Sequence, residues 1–243
     1  MNSVPLASFR ITKSEKSPMD LKIIITGDGS HSLYNKRLDE IYHSKNGAIA
    51  ESEHVFISAG FDFVTLNSKK VNLLEVGFGT GLNTLLTALK SKTADTQLEY
   101  WAFEPFPVNH DILNKLNYTT FLPPGSDVLW KKIHTSPWNK RSDIDSCIQI
   151  IRINEKVEHY KLPDHYFNLI YFDAFAPSVQ AELWTGNLFR RLFTALKNGG
   201  VLVTYSARGE VRRNLKAVGF TVDRLPGPEG KREMIRAIKE VND

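Results

Sequence analysis

Residues 71–82 read VNLLEVGFGTGL and contain the strongest indication of the fold. The first six form a short apolar run bounded by Lys70 and Gly77, which is typical of a buried parallel strand. Glycines follow at positions 77, 79 and 81, and residues 82–90 have the apolar spacing of a helix. The stretch therefore predicts a strand, a glycine-rich turn and a helix, the unit at which doubly wound sheets bind nucleotides.

The same alternation of strand and helix continues along the chain. Two late strands, at about 220–225 and 233–239, are joined by so short a loop that we expect them to be antiparallel neighbours. The pattern predicts an α/β fold with a mostly parallel sheet and an antiparallel last strand. The other predicted strands are 98–103, 148–153, 167–172 and 201–205, and the helices are 107–116, starting at Pro107, 187–197, closed by residues 198–200, and 209–218.

Two regions lie outside this alternation. Residues 1–60 predict a small extension, with a strand at 21–26, a turn at 27–30 and a helix at 47–58, that packs on a core domain of residues 61–243. Residues 121–145 combine Pro, Gly, Lys and Arg with two tryptophans. We interpret them as a long basic, aromatic insertion, because long loops in compact domains are usually functional or disordered.

Composition excludes several classes of protein. Lys and Arg number 31 against 27 Asp and Glu, a net charge of +4, which permits a nucleic-acid partner without requiring one. The single cysteine, Cys147, excludes a disulfide framework and a cysteine-rich metal site, and the seven histidines lack metal-ligand spacing. With no apolar run of membrane-spanning length and no signal-peptide pattern, we expect a cytoplasmic protein without a metal or a membrane partner.

The spacing of the glycines narrows the class of ligand that this turn can bind. A dinucleotide fingerprint needs its third glycine one residue later, and the Gly-Lys-Ser/Thr of a phosphate-binding loop is absent. Glu75, two residues before the first glycine, would repel a pyrophosphate but suits a cationic ligand. S-adenosylmethionine (AdoMet), which carries an amino group and a sulfonium, fits that description. The alternative is an ordinary corner between a strand and a helix.

Two further acids end predicted strands. Glu104 follows the second strand, where a carboxylate can bind ribose hydroxyls, and the alternative is a solvated strand end. Asp173 follows the fourth strand, where it can orient an amine that attacks a methyl group and take its proton. Phe175 can wall the substrate slot. The alternative for Asp173 is a cap on the loop that follows it.

Basic residues cluster late in the chain, with Arg208, Arg212, Arg213 and Lys216 along one predicted helix. Such a run is usually a solvated face. Together with residues 121–145, it can also form a rim that binds an anionic RNA.

Several motifs, taken together, resemble one known family. They are GFGTGLN at 77–83, DAFAP at 173–177, LWT at 183–185, NLF at 187–189 and GKREM at 230–234, with 38–42 and 47–56 upstream. The chain resembles, over roughly residues 20–240, the methyltransferase half of the MnmC enzymes and their stand-alone relatives, called MnmD. The resemblance implies a class I AdoMet-dependent methyltransferase with a Rossmann-like fold. Its activity would be methylation of the aminomethyl group of 5-aminomethyl-2-thiouridine at the tRNA wobble position.

The resemblance also assigns roles to residues. Asp173 matches the catalytic aspartate, and the segment from Tyr42 to Glu51 closes over the cofactor. The family's Gly-Asp pair after the third strand is missing, so Asn154 or Glu155 would contact the adenine instead. The cofactor set is completed by Glu75, Gly77, Phe78, Gly79, Gly81, Asn83 and Glu104, and the substrate set is Phe175, Pro177, Trp184, Lys231 and Arg232. Trp138, Trp184 or Phe175 would stack on the base.

The bifunctional relatives also carry a flavin oxidase domain that exposes the amine, and 243 residues leave no room for one. We therefore expect a monofunctional enzyme that acts on the anticodon loop of tRNA already bearing the amine, with a separate oxidase upstream. Two other functions stay open, an aminopropyltransferase of the spermidine-synthase type and a non-catalytic module that binds AdoMet or RNA.

Overall fold

The computed structural model describes residues 19–241, so the first 18 residues of the predicted extension lie outside the described part. The described extension begins with a small antiparallel sheet of β1 (Leu21–Ile25), β2 (His31–Asn35) and β3 (Glu40–Ile41). A continuous helical segment follows, made of α1 (Ala48–Ser52), a π-helix (Glu53–Asp62) and α2 (Phe63–Thr65).

This helical segment packs directly on the large sheet. Phe56 and Phe61 are buried in the core, and the ring centroid of Phe56 lies 5.1 Å from that of Tyr171. A Cβ atom on Gly60 would lie 3.0 Å from Cγ2 of Val203, so the helix approaches the sheet closely at this point. The domain boundary predicted at residue 60 therefore falls inside the helix, at one of its contacts with the core.

The large sheet has eight strands. In chain order they are β4 (Lys70–Val76), β5 (Gln97–Phe103), β6 (Arg141–Asp145), β7 (Ile148–Ile153), β8 (Phe167–Phe172), β9 (Leu196–Thr204), β10 (Thr221–Pro226) and β11 (Glu233–Ile238). Their order across the sheet is β10-β11-β9-β8-β4-β5-β7-β6. The five central strands are parallel, while β11 pairs antiparallel with β9 and β10, and β6 pairs antiparallel with β7.

The predicted Rossmann-like α/β fold is thus confirmed. Because strand order reverses beside β4, the carboxyl ends of β4, β5 and β8 form a topological switch point, where such sheets bind ligands. Successive residues of β4 serve opposite layers of the core, since Leu73 packs in one buried cluster and Leu74 in the other. The helices of these layers are α3 (Leu82–Thr93), α4 (His110–Leu113), α5 (Ser126–Thr135), α6 (Gly186–Ala195) and α7 (Gly209–Ala217).

Two predicted helices have different bounds in the structure. The helix predicted at 107–116 is the short α4, and it begins after Asn109, whose side chain accepts a hydrogen bond from the Asp111 amide at 2.8 Å, rather than at Pro107. The helix predicted at 187–197 ends at Ala195 and passes directly into β9. Residues 198–200 belong to that strand, where Gly199 and Gly200 exchange backbone hydrogen bonds with Lys239.

The segment 121–145 is folded into regular structure, which corrects its interpretation as a long loop. It contains α5 and the edge strand β6, and Leu129, Ile133 and Ile144 are buried in the core. Leu129 and Ile133 are spaced four residues apart, so they lie on the same face of α5. No helix in residues 19–241 is long and apolar enough to cross a membrane.

Candidate active site

A cavity of about 690 Å³ lies at the carboxyl ends of β4, β5 and β8. Its floor comes from the turns that follow these strands, and residues of the small N-terminal sheet cover it. The volume is in the range of small-molecule binding sites. The fold therefore places a ligand-sized space at the topological switch point.

The glycine turn brings other parts of the chain into close contact. Gly77 has φ +94° and Gly79 has φ +52°, conformations that favour glycine. A Cβ atom on Gly77 would lie 2.5 Å from the carbonyl oxygen of Asp173, and one on Gly79 would lie 3.2 Å from Cδ1 of Tyr42. The turn is thus a cradle that a side chain would fill.

Glu104 lines the cavity after β5. Its two carboxylate oxygens accept hydrogen bonds from the backbone amides of Gly79, at 3.0 Å, and Phe106, at 2.9 Å. Burial raises the pKa of Glu104 to about 7, although both hydrogen bonds lower it. The two hydrogen bonds hold the carboxylate in place beside the glycine turn.

Asp173 lines the cavity at the end of β8. Its Oδ2 accepts a hydrogen bond from Nδ2 of Asn83 at 2.8 Å, so the side chain is held by Asn83 rather than by the loop that follows. Desolvation raises the pKa of Asp173 to about 7, and the charge of Glu51 raises it further, while Asn83 and Lys231 lower it. An aspartate with this pKa is a better proton acceptor at neutral pH than an ordinary one.

An ion pair that the sequence did not predict lies beside Asp173. Nζ of Lys231 is 2.6 Å from Oε1 of Glu51 and 4.0 Å from the ring centroid of Tyr205. The Tyr205 hydroxyl donates to the carbonyl oxygen of Ala174 at 2.9 Å. Lys231 was predicted as a substrate residue, whereas Glu51 was named only as the end of a covering segment and Tyr205 was missed, because neither is part of a motif with distinctive spacing.

Two aromatic side chains form the wall of the cavity. Tyr42 and Phe175 meet edge to face with ring centroids 5.1 Å apart, and both line the cavity. Tyr42 reaches the glycine turn from the N-terminal sheet, and Phe175 follows Asp173 in the chain. The wall therefore joins the extension to the core.

Several predicted site residues lie outside the cavity lining. The buried Trp184 donates its ring N–H to the carbonyl of Phe175 at 2.8 Å, and Trp138 stacks on Arg152 with a distance of 4.4 Å to the ring centroid. These residues support the site from behind rather than lining it. The predicted residues outside the lining are Glu75, Gly81, Trp138, Asn154, Glu155, Pro177, Trp184 and Arg232.

The loop after β7 presents different residues from the two predicted there. Nδ2 of Asn154 donates to the carbonyls of Glu104 and Pro105, and Glu155 is exposed. Lys156, Val157 and Glu158 line the cavity instead. No signal in the sequence distinguishes these positions, because the direction of the loop depends on Arg191, which donates to the carbonyls of Val157, Glu158 and Tyr160.

The family model "S-adenosyl-L-methionine-dependent methyltransferase" matches residues 128–240. The chain has the fold of an AdoMet-dependent methyltransferase, and AdoMet is the cofactor that this match implies. The resemblance to the MnmC proteins is also confirmed, since the chain is 32% identical, over 223 residues, to the tRNA 5-methylaminomethyl-2-thiouridine biosynthesis bifunctional protein MnmC of Cupriavidus metallidurans. That match covers 87% of this chain and 33% of the relative, so the chain spans about a third of the length of the bifunctional protein.

Solved structures agree on the fold. MnmC2 from Aquifex aeolicus superposes with a TM-score of 0.77 at 22% identity, covering 94% of this chain and 72% of that one. Spermidine synthase from Thermotoga maritima superposes with a TM-score of 0.55 at 18% identity, covering 93% and 75% of the two chains. The fold of this chain is therefore shared by MnmC2 and by spermidine synthase.

The residues present fit the predicted cofactor. The glycine cradle admits a ligand close to the backbone, and the buried carboxyl of Glu104 can accept hydrogen bonds from ribose hydroxyls. Within residues 19–241, no three His, Cys, Asp or Glu side chains are arranged to hold a metal ion.

Proposed function

We propose that this chain transfers a methyl group from AdoMet to the aminomethyl nitrogen of 5-aminomethyl-2-thiouridine at the wobble position of tRNA. The observation that carries the proposal is the contact between the Asp173 backbone and Gly77, because it puts a carboxylate with a raised pKa directly beside the cofactor turn. The named activity of the MnmC relative supports the substrate.

In this mechanism, bound AdoMet supplies an electrophilic methyl group on its sulfonium. Glu104 and the glycine turn hold its nucleoside part, and Tyr42 covers the turn. Asp173 accepts a hydrogen bond from the substrate amine and receives the proton that the nitrogen loses as it becomes methylated. Of the three aromatic residues predicted to stack on the base, Phe175 lines the cavity. It packs against the flipped base.

The proposal assigns this chain the methyl-transfer step alone. A separate cytoplasmic oxidase would then supply tRNA that already carries the free amine on its anticodon loop. The roles of Asp173 as the base, of Glu104 and the glycine turn in cofactor binding, and of Phe175 in substrate binding belong to the same proposal.

Methyl-labelled AdoMet and tRNA from cells that lack this methylation provide the test. After digestion to nucleosides, we expect label in 5-methylaminomethyl-2-thiouridine. Label in another nucleoside would keep the methyltransferase and reject the substrate. AdoMet binding without label, on tRNA proven to carry the amine, would favour the non-catalytic module.

The charge of the cavity favours a second candidate, aminopropyl transfer to a polyamine. The lining contains seven carboxylates and three lysines, and a diamine substrate is a polycation. The same reaction needs decarboxylated AdoMet as donor. Incubation with that donor and labelled putrescine distinguishes the two candidates, since formation of spermidine would replace the tRNA proposal. The carboxylates are Asp39, Glu40, Glu51, Glu104, Glu158, Asp173 and Glu182.

Basic residues at the start of α7 and along it support an RNA-binding surface. Arg208 reaches Ser178, in the loop after Asp173, at 3.2 Å, and Arg212 and Lys216 follow at four-residue intervals beside Arg224. We expect the double variant Arg212→Glu/Lys216→Glu to weaken tRNA binding by about tenfold. The slope of log Kd against the logarithm of the salt concentration should fall by about one to two. Lys70→Glu, at the exposed first residue of the central strand β4, is the control, and equal effects of both variants would reject this surface.

The dependence of turnover on pH tests the neighbours of Asp173. We expect kcat to rise with pH through about 7, as Asp173 loses its proton. Lys231 lowers the pKa of Asp173, so Lys231→Met should move the rise in kcat to higher pH. Glu51 raises the pKa of Asp173, so Glu51→Gln should move the rise in kcat to lower pH. Shifts in the same direction, measured as kcat from about pH 5 to 9, would contradict the assignment of the rise to Asp173.

A further inference from the structure

The side chain of Asn83 lies between two carboxyl groups. Its Nδ2 donates to Oε1 of Glu75 at 3.0 Å and to Oδ2 of Asp173 at 2.8 Å. Asn83 comes from the first turn of α3, Glu75 from β4 and Asp173 from the end of β8. Three elements of the fold thus meet at a single amide group.

The orientation of this amide is fixed by its neighbours. When Asp173 is ionised, as a proton acceptor must be, turning the amide over would place Oδ1 against a carboxylate that has only acceptors, so Nδ2 faces Asp173. Oδ1 is buried and has no hydrogen-bond partner among the described residues. Because a buried unsatisfied acceptor costs free energy, its presence indicates that the orientation of the amide matters.

Glu75 fixes the other end of this arrangement. It is fully buried, lies outside the cavity lining, and its Oε2 accepts a hydrogen bond from Oγ1 of Thr84 at 3.2 Å. Burial raises the pKa of Glu75 to about 8, so it is mostly neutral at pH 7. A neutral, buried carboxyl does not serve as a charged partner for a cationic ligand in the cavity.

We infer that Glu75 and Asn83 are positioning residues for Asp173. Glu75 and Thr84 fix the Asn83 amide, and Asn83 holds Oδ2 of Asp173 so that Oδ1 is left to receive the proton of the attacking amine. This inference rests on the proposed function and replaces a direct cofactor role for Glu75 and Asn83. Glu75 and Asn83 keep the Asp173 carboxylate in position, since a general base must be held within hydrogen-bond reach of its proton.

Other titratable groups also face Asp173. They are Glu51 on α1, Lys231 in the loop between β10 and β11, and Tyr205 at the end of β9. Glu75 faces it from β4. The variants below leave the first three in place, so a change in the pKa of Asp173 reports on the Asn83 amide and its support.

The first variant is Asn83→Leu, which keeps the size of the side chain and removes the hydrogen bonds. We expect kcat to fall by about 10- to 100-fold, part of what a general base contributes. The pH at which kcat rises should move above 7, since the Asn83 hydrogen bond lowers the pKa of Asp173. The Kd for AdoMet should change by less than about threefold, a shift that corresponds to a small part of the binding free energy.

Two variants of Glu75 separate its role as a hydrogen-bond acceptor from its charge. Glu75→Leu should lower kcat as Asn83→Leu does, whereas Glu75→Gln should recover most of that loss, because its amide oxygen can still accept the hydrogen bond from Asn83. If Glu75→Gln instead raises the Kd for AdoMet more than tenfold and keeps kcat, Glu75 binds the cofactor through its charge and the inference is wrong. Wild-type kcat and an unchanged pH profile in Asn83→Leu would also overturn it.

A measurement without tRNA separates this inference from the proposed function. In protein with ¹³C-labelled aspartate carboxyls, Asp173 should titrate near pH 7 in the wild type and at higher pH in Asn83→Leu. If this shift occurs but no tRNA is methylated, the positioning role stands and the proposed substrate fails. If tRNA is methylated but the titration is the same in both proteins, the positioning role fails alone.

Discussion

Replacing Asp173 with Asn should lower the rate of methyl transfer by about 10²- to 10⁴-fold, which is the usual contribution of a general base. Asparagine has the same shape as aspartate, and its Oδ1 can still accept the hydrogen bond from Asn83. The substitution therefore removes the proton acceptor and leaves the cavity intact. Single-turnover transfer from labelled AdoMet measures the rate, and calorimetric titration measures AdoMet binding, which should be nearly unchanged.

Asp127→Asn is the matched control for this substitution. Asp127 is an exposed residue in the first turn of α5, outside the cavity lining, so its loss of charge should leave the rate unchanged. A rate within twofold of wild type in Asp173→Asn would reject Asp173 as the base. A loss fully explained by weaker AdoMet binding would make it a cofactor residue instead.

Gly77→Ala should affect both AdoMet binding and stability. Its Cβ atom would lie 2.5 Å from a backbone oxygen of Asp173, so the turn or the end of β8 must move. The residue also has φ +94°, a conformation that costs a non-glycine residue about 1–3 kcal/mol. We expect the free energy of unfolding to fall by more than this strain alone and the Kd for AdoMet to rise by about 100-fold, a loss of roughly 3 kcal/mol.

Gly125→Ala isolates the strain from the close contact. Gly125 has φ +88°, and its Cβ atom would meet nothing within 4 Å. Urea unfolding of both variants should therefore show a larger destabilisation for Gly77→Ala, and only that variant should lose AdoMet binding. Equal destabilisation with intact binding in both would mean that backbone strain, rather than the approach of Asp173, explains the glycine at position 77.

The buried parallel strands could be predicted because they are short apolar runs with clear boundaries. Residues 148–153 and 167–172 were predicted with the bounds that β7 and β8 have in the structure. Each strand is covered on both faces, so hydrophobic burial alone marks it in the sequence. The glycine turn could be predicted for a similar reason, since positive φ values restrict the residue type locally.

The errors occurred where tertiary contacts outweigh local signals. Prolines and lysines around α5 suggested a loop, but Leu129 and Ile133 gain enough from burial in the core to hold a helix there. The glycines at 199 and 200 suggested a helix end, but they exchange backbone hydrogen bonds with Lys239, directly after the neighbouring strand β11. In both cases a partner distant in sequence determines the local structure.

The candidate site also contains residues that could be predicted from the sequence and others that could not. Asp173, Glu104 and the glycine turn could be named in advance because the carboxyl ends of parallel strands meet at one edge of the sheet. The pairing of Glu51 with Lys231 joins residues 180 positions apart, and no local pattern encodes it. The loop direction that brings Lys156 and Glu158 into the cavity depends likewise on the distant Arg191.

Local patterns in the sequence were enough to predict the parallel strands of the central sheet, the position of the ligand turn and the acids that follow two of the strands. These features depend on burial, backbone conformation and chain direction, which act over a few residues. Which groups surround Asp173, and what pKa it has, could be read only from the folded structure. Those properties depend on desolvation and on charges contributed by α1, α3 and the loop between β10 and β11, which come together only when the chain is folded.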